Sequence, residues 1–304
     1  MQEPKFSQVL LDSFKLIWHN KIMWIFGILS IFVGQFGMGD FVGKVWSITD
    51  KFETGHGYFD FSFNFGLNES ILGVVIGLAI LFSIILFLII LSTISQGALV
   101  YLAGRHSKTN HKAKVDFKKA WKVGVEHLWR NLTINILQKV ACVILLIIFV
   151  SLWMVFISVN GILGNLFLTL SLILILFLGF SVSAVTIYSI SYITVENKKL
   201  KESILLSCKL FKDHMLLSLE LGIVLFLLSF LMIAILFVGL VLVYVPSLLF
   251  LAFASIANDV LFAVLGLGIG VFLFVIFIVI IAGIYNAFVT VSWVYMLQKC
   301  IKKV

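Results

Sequence analysis

The sequence predicts an all-α integral membrane protein: six transmembrane helices forming three parallel repeats, each an interfacial amphipathic helix followed by a transmembrane hairpin. Three observations predict it. Of the 304 residues, 62% are hydrophobic, 12% are charged and 2 are proline, which is more apolar surface than a soluble core of this length can hide. Apolar runs recur that exceed the ~20 helical residues needed to cross a hydrocarbon core. A basic, amphipathic stretch also runs directly into a long apolar span three times, at residues 6–21, 117–132 and 200–215.

The amphipathic copies come first. Aligned without gaps from Phe6, Phe117 and Leu200, the first carries Phe6, Val9, Leu10, Ser13, Phe14, Ile17 and Trp18 on one stripe. The second carries Phe117, Ala120, Trp121, Gly124, Val125, Leu128 and Trp129, with Lys118, Lys119, Lys122, Glu126 and Arg130 opposite. The third keeps Leu200, Ser203, Ile204, Ser207, Cys208 and Phe211, broadened by Leu205 and Leu206. Such helices lie flat in the headgroup layer, or pack on their own bundle, or do both. Trp18 and Trp129, each followed two residues later by Asn20 and Asn131, put an indole at interface depth beside a polar stop.

The spans read as roughly 22–39, 71–103, 132–158, 166–193, 216–244 and 262–297. Their length and lack of period-2 alternation favour helices over a barrel, and helices satisfy their own backbone groups in lipid. The second span of each unit ends alike: Ser92–Tyr101 aligns with Ser183–Tyr192 and with Asn286–Tyr295, with Ala98, Ser189 and Ser292 as a small-residue column. The shared ending points to triplication of a helical hairpin in parallel orientation, within one polytopic domain over 1–304 with units of about 1–104, 105–194 and 195–304.

Charge sets the orientation. With the segments assigned alternately, 19 of 22 Lys and Arg fall on one side. Lys44 and Lys51 face six acidic residues on the other (Asp40, Asp50, Glu53, Asp60, Glu69, Asp259), a net charge of −4 there. The positive-inside rule therefore places both termini in the cytoplasm of a cell membrane, the basic face meeting anionic headgroups. The overall +8 is explained by topology, so nucleic acid is not an expected partner. The first span follows a charged segment without a small-x-small cleavage site and reads as a retained anchor. Cys142, Cys208 and Cys300 read as thiols rather than disulfides or a metal cluster.

Two groups of residues are candidates for function. Small and hydroxyl side chains gather in the inner halves of the even-numbered spans: Ser92, Thr93, Ser95, Gln96, Ser181, Ser183, Thr186, Ser189, Ser191, Asn286, Thr290 and Ser292. They either line a polar vestibule or act as helix-to-helix glue, small residues permitting close approach and hydroxyls bonding across helices. Lys139 and Glu220 are ionisable residues inside spans, at depths differing by about 3 Å of helix rise. An isolated charge there costs at least ~2.5 kcal/mol, so they either form an ion pair between units two and three or snorkel separately to the interface.

Other features are weaker. Gly73/Gly77 and Gly266/Gly270 have the spacing of close helix crossings, expected within the chain. The outer segment 40–70 alternates Phe59, Phe61, Phe63 and Phe65, as a short strand, an extended piece in the outer headgroups or a partner-binding edge. It also holds His56 in a turn and a glycosylation acceptor at Asn68–Ser70. Pro246 is placed to open a short outer helix ending near Asn258 and Asp259. The histidines are dispersed, His106 and His111 lying in a basic loop. No HExxH, GxSxG or GxxxxGK[ST] motif occurs, and no cofactor is implied.

Through Phe6–Trp18, Lys199–Phe211 and Trp293–Lys299, the chain resembles the membrane domain of bacterial glycerophosphoryl diester phosphodiesterases and related stand-alone six-span proteins of unknown function. In those phosphodiesterases a separate soluble barrel performs the chemistry. The 304 residues hold no such barrel, so the resemblance implies neither that activity nor any catalytic residue. The expected role is non-catalytic: a lipid-interacting scaffold or an accessory subunit with a protein partner. The alternative is a transporter or lipid-translocating protein using the hydroxyl-rich inner halves.

Overall fold

A computed structural model describes residues 6–31, 71–109, 116–157, 162–257 and 260–301. The described residues form nine helices: α1 (Phe6–His19), α2 (Ile22–Ser30), α3 (Ile71–Lys108), α4 (Phe117–Glu126), α5 (Leu128–Ile157), α6 (Ile162–Glu196), α7 (Leu200–Asp213), α8 (Met215–Ala257) and α9 (Val260–Ile301). Five of them, α3, α5, α6, α8 and α9, are long and apolar enough to cross a membrane. The first expected span is described only over α2. Its remainder, the 40–70 segment with its alternating phenylalanines, His56 and Asn68, as well as His111, Asn258 and Asp259, lie outside the described residues.

Local chemistry explains the breaks between short and long helices. At the end of α1, Asn20 Nδ2 donates to the Leu16 carbonyl (2.9 Å) and Trp24 Nε1 to the Ile17 carbonyl (2.9 Å), satisfying acceptors that the helix terminus leaves open. Asp116 caps α4 by accepting from the backbone N–H groups of Lys118 and Lys119. His127 and His214 occupy the single-residue breaks before α5 and α8. Asn197, with φ at 53°, ends α6 in the left-handed conformation that Asn tolerates, and Lys198 N–H reaches back to the Tyr192 carbonyl (3.3 Å). The Asn197 side chain accepts from Arg130 Nη1 at 3.2 Å, tying this turn to the start of α5.

The centre is built by the C-terminal halves of α3, α6 and α9, which pack on one another. Residues 92–100 of α3, 186–194 of α6 and 290–298 of α9 are buried on every face, which a two-layer helix pair cannot achieve. The other helices enclose them. α1 and α2 pack on α9, α4 on α3 and α7 on α6, while α5 runs along α6 and α8 along α9. Beyond this core the long helices expose leucine, isoleucine, valine and phenylalanine almost continuously, as at Phe82, Phe87, Leu163, Phe237 and Phe272. A surface of that composition is unstable in water and matches lipid.

The amphipathic stripes, read from sequence as one surface, divide into two. Val9 and Ser13, Ala120 and Gly124, and Ser203 and Ser207 occupy the same two positions in the three aligned copies and are all buried against the core. Their small size sets the helix spacing: a methyl group on Gly124 would run into the Ile94 carbonyl. Phe14, Trp18, Val125, Trp129 and Leu205, on the adjoining strip, face outward.

Two expectations need correction. Pro246 does not open a separate helix; α8 runs through it from Met215 to Ala257. Contacts with α9 on both sides hold it in line, through Gly239 against Phe277, Tyr244 against Phe274 (ring centroids 5.8 Å apart) and Ser247 against Gly270. These contacts offset the loss of one backbone hydrogen bond at proline. The two glycine pairs also differ. Gly266 and Gly270 lie against Phe250 and Ser247 of α8, whereas nothing lies within 4 Å of a methyl placed on Gly77. The tighter crossing is one that the glycine spacing did not mark: Gly27 of α2 against the Gly283 carbonyl of α9.

Candidate functional site

Ser92, Ser95, Gln96, Ser183, Thr186, Asn286 and Thr290 are all buried where α3, α6 and α9 meet their enclosing helices. Most hydroxyls bond within their own helix. Ser95 donates to the Leu91 carbonyl (2.9 Å), Ser183 to Gly179 (3.0 Å), Thr186 to Val182 (2.8 Å) and Ser189 to Val185 (2.8 Å). This i−4 pattern disposes of a buried hydroxyl without a partner helix.

Three of the contacts that cross helices share one pattern. Asn286 Nδ2 of α9 donates to Ser30 Oγ (2.7 Å) and the Gly27 carbonyl (3.2 Å) of α2. Gln96 Oε1 of α3 accepts from Asn135 Nδ2 of α5 at 2.8 Å. Tyr188 of α6 bonds Ser218 of α8 at 2.8 Å. In these three, the buried half of a central helix is pinned to an enclosing helix further on in chain order, and the last, α9, returns to the short α2, while Gln138 to Ser183 (α5 to α6) and Tyr285 to the Leu225 carbonyl (α9 to α8) run the other way. Ion pairs at the helix ends reinforce two joints: Lys299 with Asp12 (3.5 Å) and Lys108 with Glu196 (3.9 Å).

Lys139 and Glu220 are not brought together. Both side chains are exposed, on α5 and α8 respectively, and among the described residues no ion pair joins them. The enclosing helices separate them, α5 packing on α6 and α3 while α8 packs on α9. Of the two sequence readings, separate snorkelling fits this placement.

Sequence reasoning missed a polar ladder on α5. His127, Asn131, Asn135 and Gln138 follow one another at helical spacing along its inward face, and all are buried. Asn135 bonds Gln96, and Gln138 Nε2 donates to Ser183 Oγ at 3.4 Å. Asn131 is 0% exposed and lies against Gly97 of α3, where a methyl would come 2.8 Å from its Nδ2. Neither amide atom of Asn131 finds a protein hydrogen-bond partner, nor do His127 Nδ1 and Asn135 Oδ1. The signal was present as four polar residues spaced 4, 4 and 3 apart in an apolar span. It was hidden because Asn131 read as a polar stop beside Trp129.

Among the described residues no three His, Cys, Asp or Glu side chains converge as metal ligands. The cysteines are unbridged: Cys208 is exposed, Cys142 half-buried and Cys300 buried.

An all-helical, multi-pass membrane protein is the class that this fold and its apolar girdle define. No protein family, curated protein or solved structure matches the chain.

Proposed function

We propose that the protein is a non-catalytic, lipid-anchored scaffold of the cell membrane, built as three parallel units of one amphipathic helix and two spans, with both termini in the cytoplasm. The observation that carries this reading is the burial of Ser95, Ser183, Thr186 and Thr290 in a packed core, with the hydroxyls of Ser95, Ser183 and Thr186 bonded to their own helices. Hydroxyls bound in this way serve packing, and small residues between helices permit the close approach that lipid cannot drive. The repeat is supported by the packing: α4, α7 and α1 each lie on the second long helix of the unit before them, taken cyclically.

The surface supports lipid anchoring. Lys118, Lys119 and Lys122 of α4 and Lys201, Lys209 and Lys212 of α7 are exposed at the core end of the bundle. Trp18, Trp129 and Leu205 are exposed at the same end. Each Lys near an anionic surface contributes about 1 kcal/mol, so the two Lys faces give strong preference for an acidic leaflet. Membrane domains of the phosphodiesterase type remain the proposed kin, on architecture alone.

The test is gentle extraction followed by mass spectrometry of retained lipids. Acidic phospholipid should be enriched over bulk membrane, and Lys118→Gln, Lys119→Gln and Lys122→Gln together should reduce the enrichment. Alanine at Ser95, Thr186 and Thr290 should leave it unchanged. Retention of neutral lipid only, or solute uptake into proteoliposomes abolished by those alanines, would reject the scaffold in favour of transport.

A further inference from the structure

We propose that His127, in the break before α5, and Asn131, Asn135 and Gln138 of α5, with Gln96 of α3 and Ser183 of α6, form a hydrated path. It enters the bundle at the α4–α5 junction and ends inside the membrane. The orientation of its mouth toward the cytoplasm rests on the topology proposed above; the path itself does not.

Unsatisfied chemistry is the first argument. Four polar atoms on three consecutive rungs are buried with no protein partner: His127 Nδ1, Asn131 Nδ2, Asn131 Oδ1 and Asn135 Oδ1. Orphaned buried groups of this kind cost about 1–3 kcal/mol each, and buried water, making about three hydrogen bonds, is what relieves them. The orphaned atoms mix donors and acceptors, and none belongs to a carboxylate or a lysine, so a neutral hydrogen-bonding occupant, water, fits the set.

The second argument is that the fold does not require a polar group at the His127 and Gln138 positions. In the aligned copies, His127 corresponds to Leu16 and Leu210, Asn135 to Trp24 and Ser218, and Gln138 to Gly27 and Leu221. Leu16, Leu210 and Leu221 are buried in their own units, so the same packing position accepts hydrocarbon. Asn131 does have polar counterparts, Asn20 and His214, but those are half-buried, and Asn20 is bonded to its own helix. The middle unit alone carries an unbroken polar face, at an energetic cost that packing does not explain.

Geometry sets the path's extent. From His127 to Gln138 is about 16 Å of helix rise. Beyond Gln138 the α5–α6 seam is closed by Phe149, Trp153 and Ile175, with Cys142, Leu145 and Leu146 packed against them. The path is therefore blind, beginning at the buried His127 at the core end and stopped roughly halfway across the ~30 Å hydrocarbon layer.

The test uses the full-length chain in sealed vesicles, right-side-out and inside-out. Single cysteines replace Asn131, Asn135 or Gln138 in a background with Cys142, Cys208 and Cys300 changed to alanine. The probe is the silver ion, close to water in size, read as protection from maleimide labelling after denaturation. A hydrated thiol ionises and reacts whereas one in hydrocarbon is inert, so all three should be protected at least an order of magnitude faster than Leu210→Cys and Leu221→Cys. With Cys142 restored as the sole cysteine, one turn past Gln138, no protection should occur. Adding Asn135→Leu should abolish protection at Gln138→Cys, and this variant serves if Asn131 substitutions fail to fold. Equal rates at ladder and control positions, from either side, would overturn the path. Rapid protection from the right-side-out face alone would uphold it and overturn only the orientation.

Discussion

Replacing Gly27 by alanine tests the joint between α2 and the last long helix, α9. A methyl on Gly27 would collide with the Gly283 carbonyl and lie 2.8 Å from the Ala287 Cβ. The first of these is backbone and cannot rotate away, so α2 must shift along α9. Overpacking of this kind costs about 1–3 kcal/mol, and a backbone obstacle puts the expectation in the upper half of that range. Glycine to alanine also carries a helix-propensity gain of about 0.8–1 kcal/mol, which confuses any single measurement. Gly77 removes the ambiguity. It is also mid-helix, and an added methyl there meets nothing within 4 Å. The propensity gain cancels in the difference between the two variants, leaving about 2–3 kcal/mol of pure packing cost. Unfolding free energies in mixed detergent micelles supply the measurement. If Gly27→Ala proves as stable as Gly77→Ala, α2 and α9 do not cross at these glycines and the central packing described above is wrong.

Three further outcomes follow from the geometry. Ser95→Ala and Thr186→Ala each remove a bond within one helix, whereas Asn286→Ala removes two bonds to α2; near the measured membrane average of about 0.6 kcal/mol per interhelical bond, Asn286→Ala should lose about 1 kcal/mol and the others less, by the same unfolding assay. Lys139→Glu and Glu220→Lys should be additive within about 0.3–0.5 kcal/mol in a double-mutant cycle, because the two residues do not touch; larger coupling would restore the ion pair. Finally, the hydrogen bond from Lys198 (2.7 Å) holds the Glu202 carboxyl below its usual range. A depressed folded-state value means that the contribution is present at neutral pH and is lost as pH falls through that value. Amide protection in the first turn of α7 should therefore decline on acidification, and Glu202→Gln should flatten the response; a profile identical to the parent's would remove Glu202 from the explanation.

The helical class and the long spans were legible because they follow from apolar length alone, which no tertiary contact alters. The burial of Ser92, Ser183 and Asn286 is a further structural finding at the column they share at the end of each even span. What the sequence concealed depended on direction rather than composition. Lys139 and Glu220 have similar depth, but their azimuth on α5 and α8 points them outward, and depth was all that span counting provided. The amphipathic stripe was read as one face, yet Ser13, Gly124 and Ser207 meet the core while Phe14, Val125 and Cys208, one residue further on, face out. A stripe wide enough to serve lipid and protein together has no seam visible in a hydrophobicity pattern. The local preference of Pro246 favours a boundary, and contacts on both sides of it override that preference. The α5 ladder was missed because each polar residue had a ready local explanation, and only their joint burial reveals the row.

The order of contacts makes one more prediction, about which part of the molecule opens first. α4 returns onto α3, and α7 onto α6, across short stretches of chain, so those joints close with little loop entropy. α1 and α2 must reach α9 across most of the sequence, and that joint alone unites its two ends. It rests on the Gly27–Gly283 crossing, the Asn286 bonds to Ser30 and Gly27, and the Lys299–Asp12 ion pair. Interactions that close the longest loop have the smallest net stability for a given set of contacts, so α1 and α2 should form the least stable cooperative unit of the core. Native-state hydrogen exchange should show their amides exchanging through a sub-global opening, while those of α4 and α7 exchange only with the whole bundle. Gly283→Ala, whose added methyl would drive into Ile28, should lower the free energy of that opening by about 1–3 kcal/mol and leave α4 and α7 unaffected. If exchange accelerates equally in all three short helices, the ring opens as one body and the long-range joint is not its weak point.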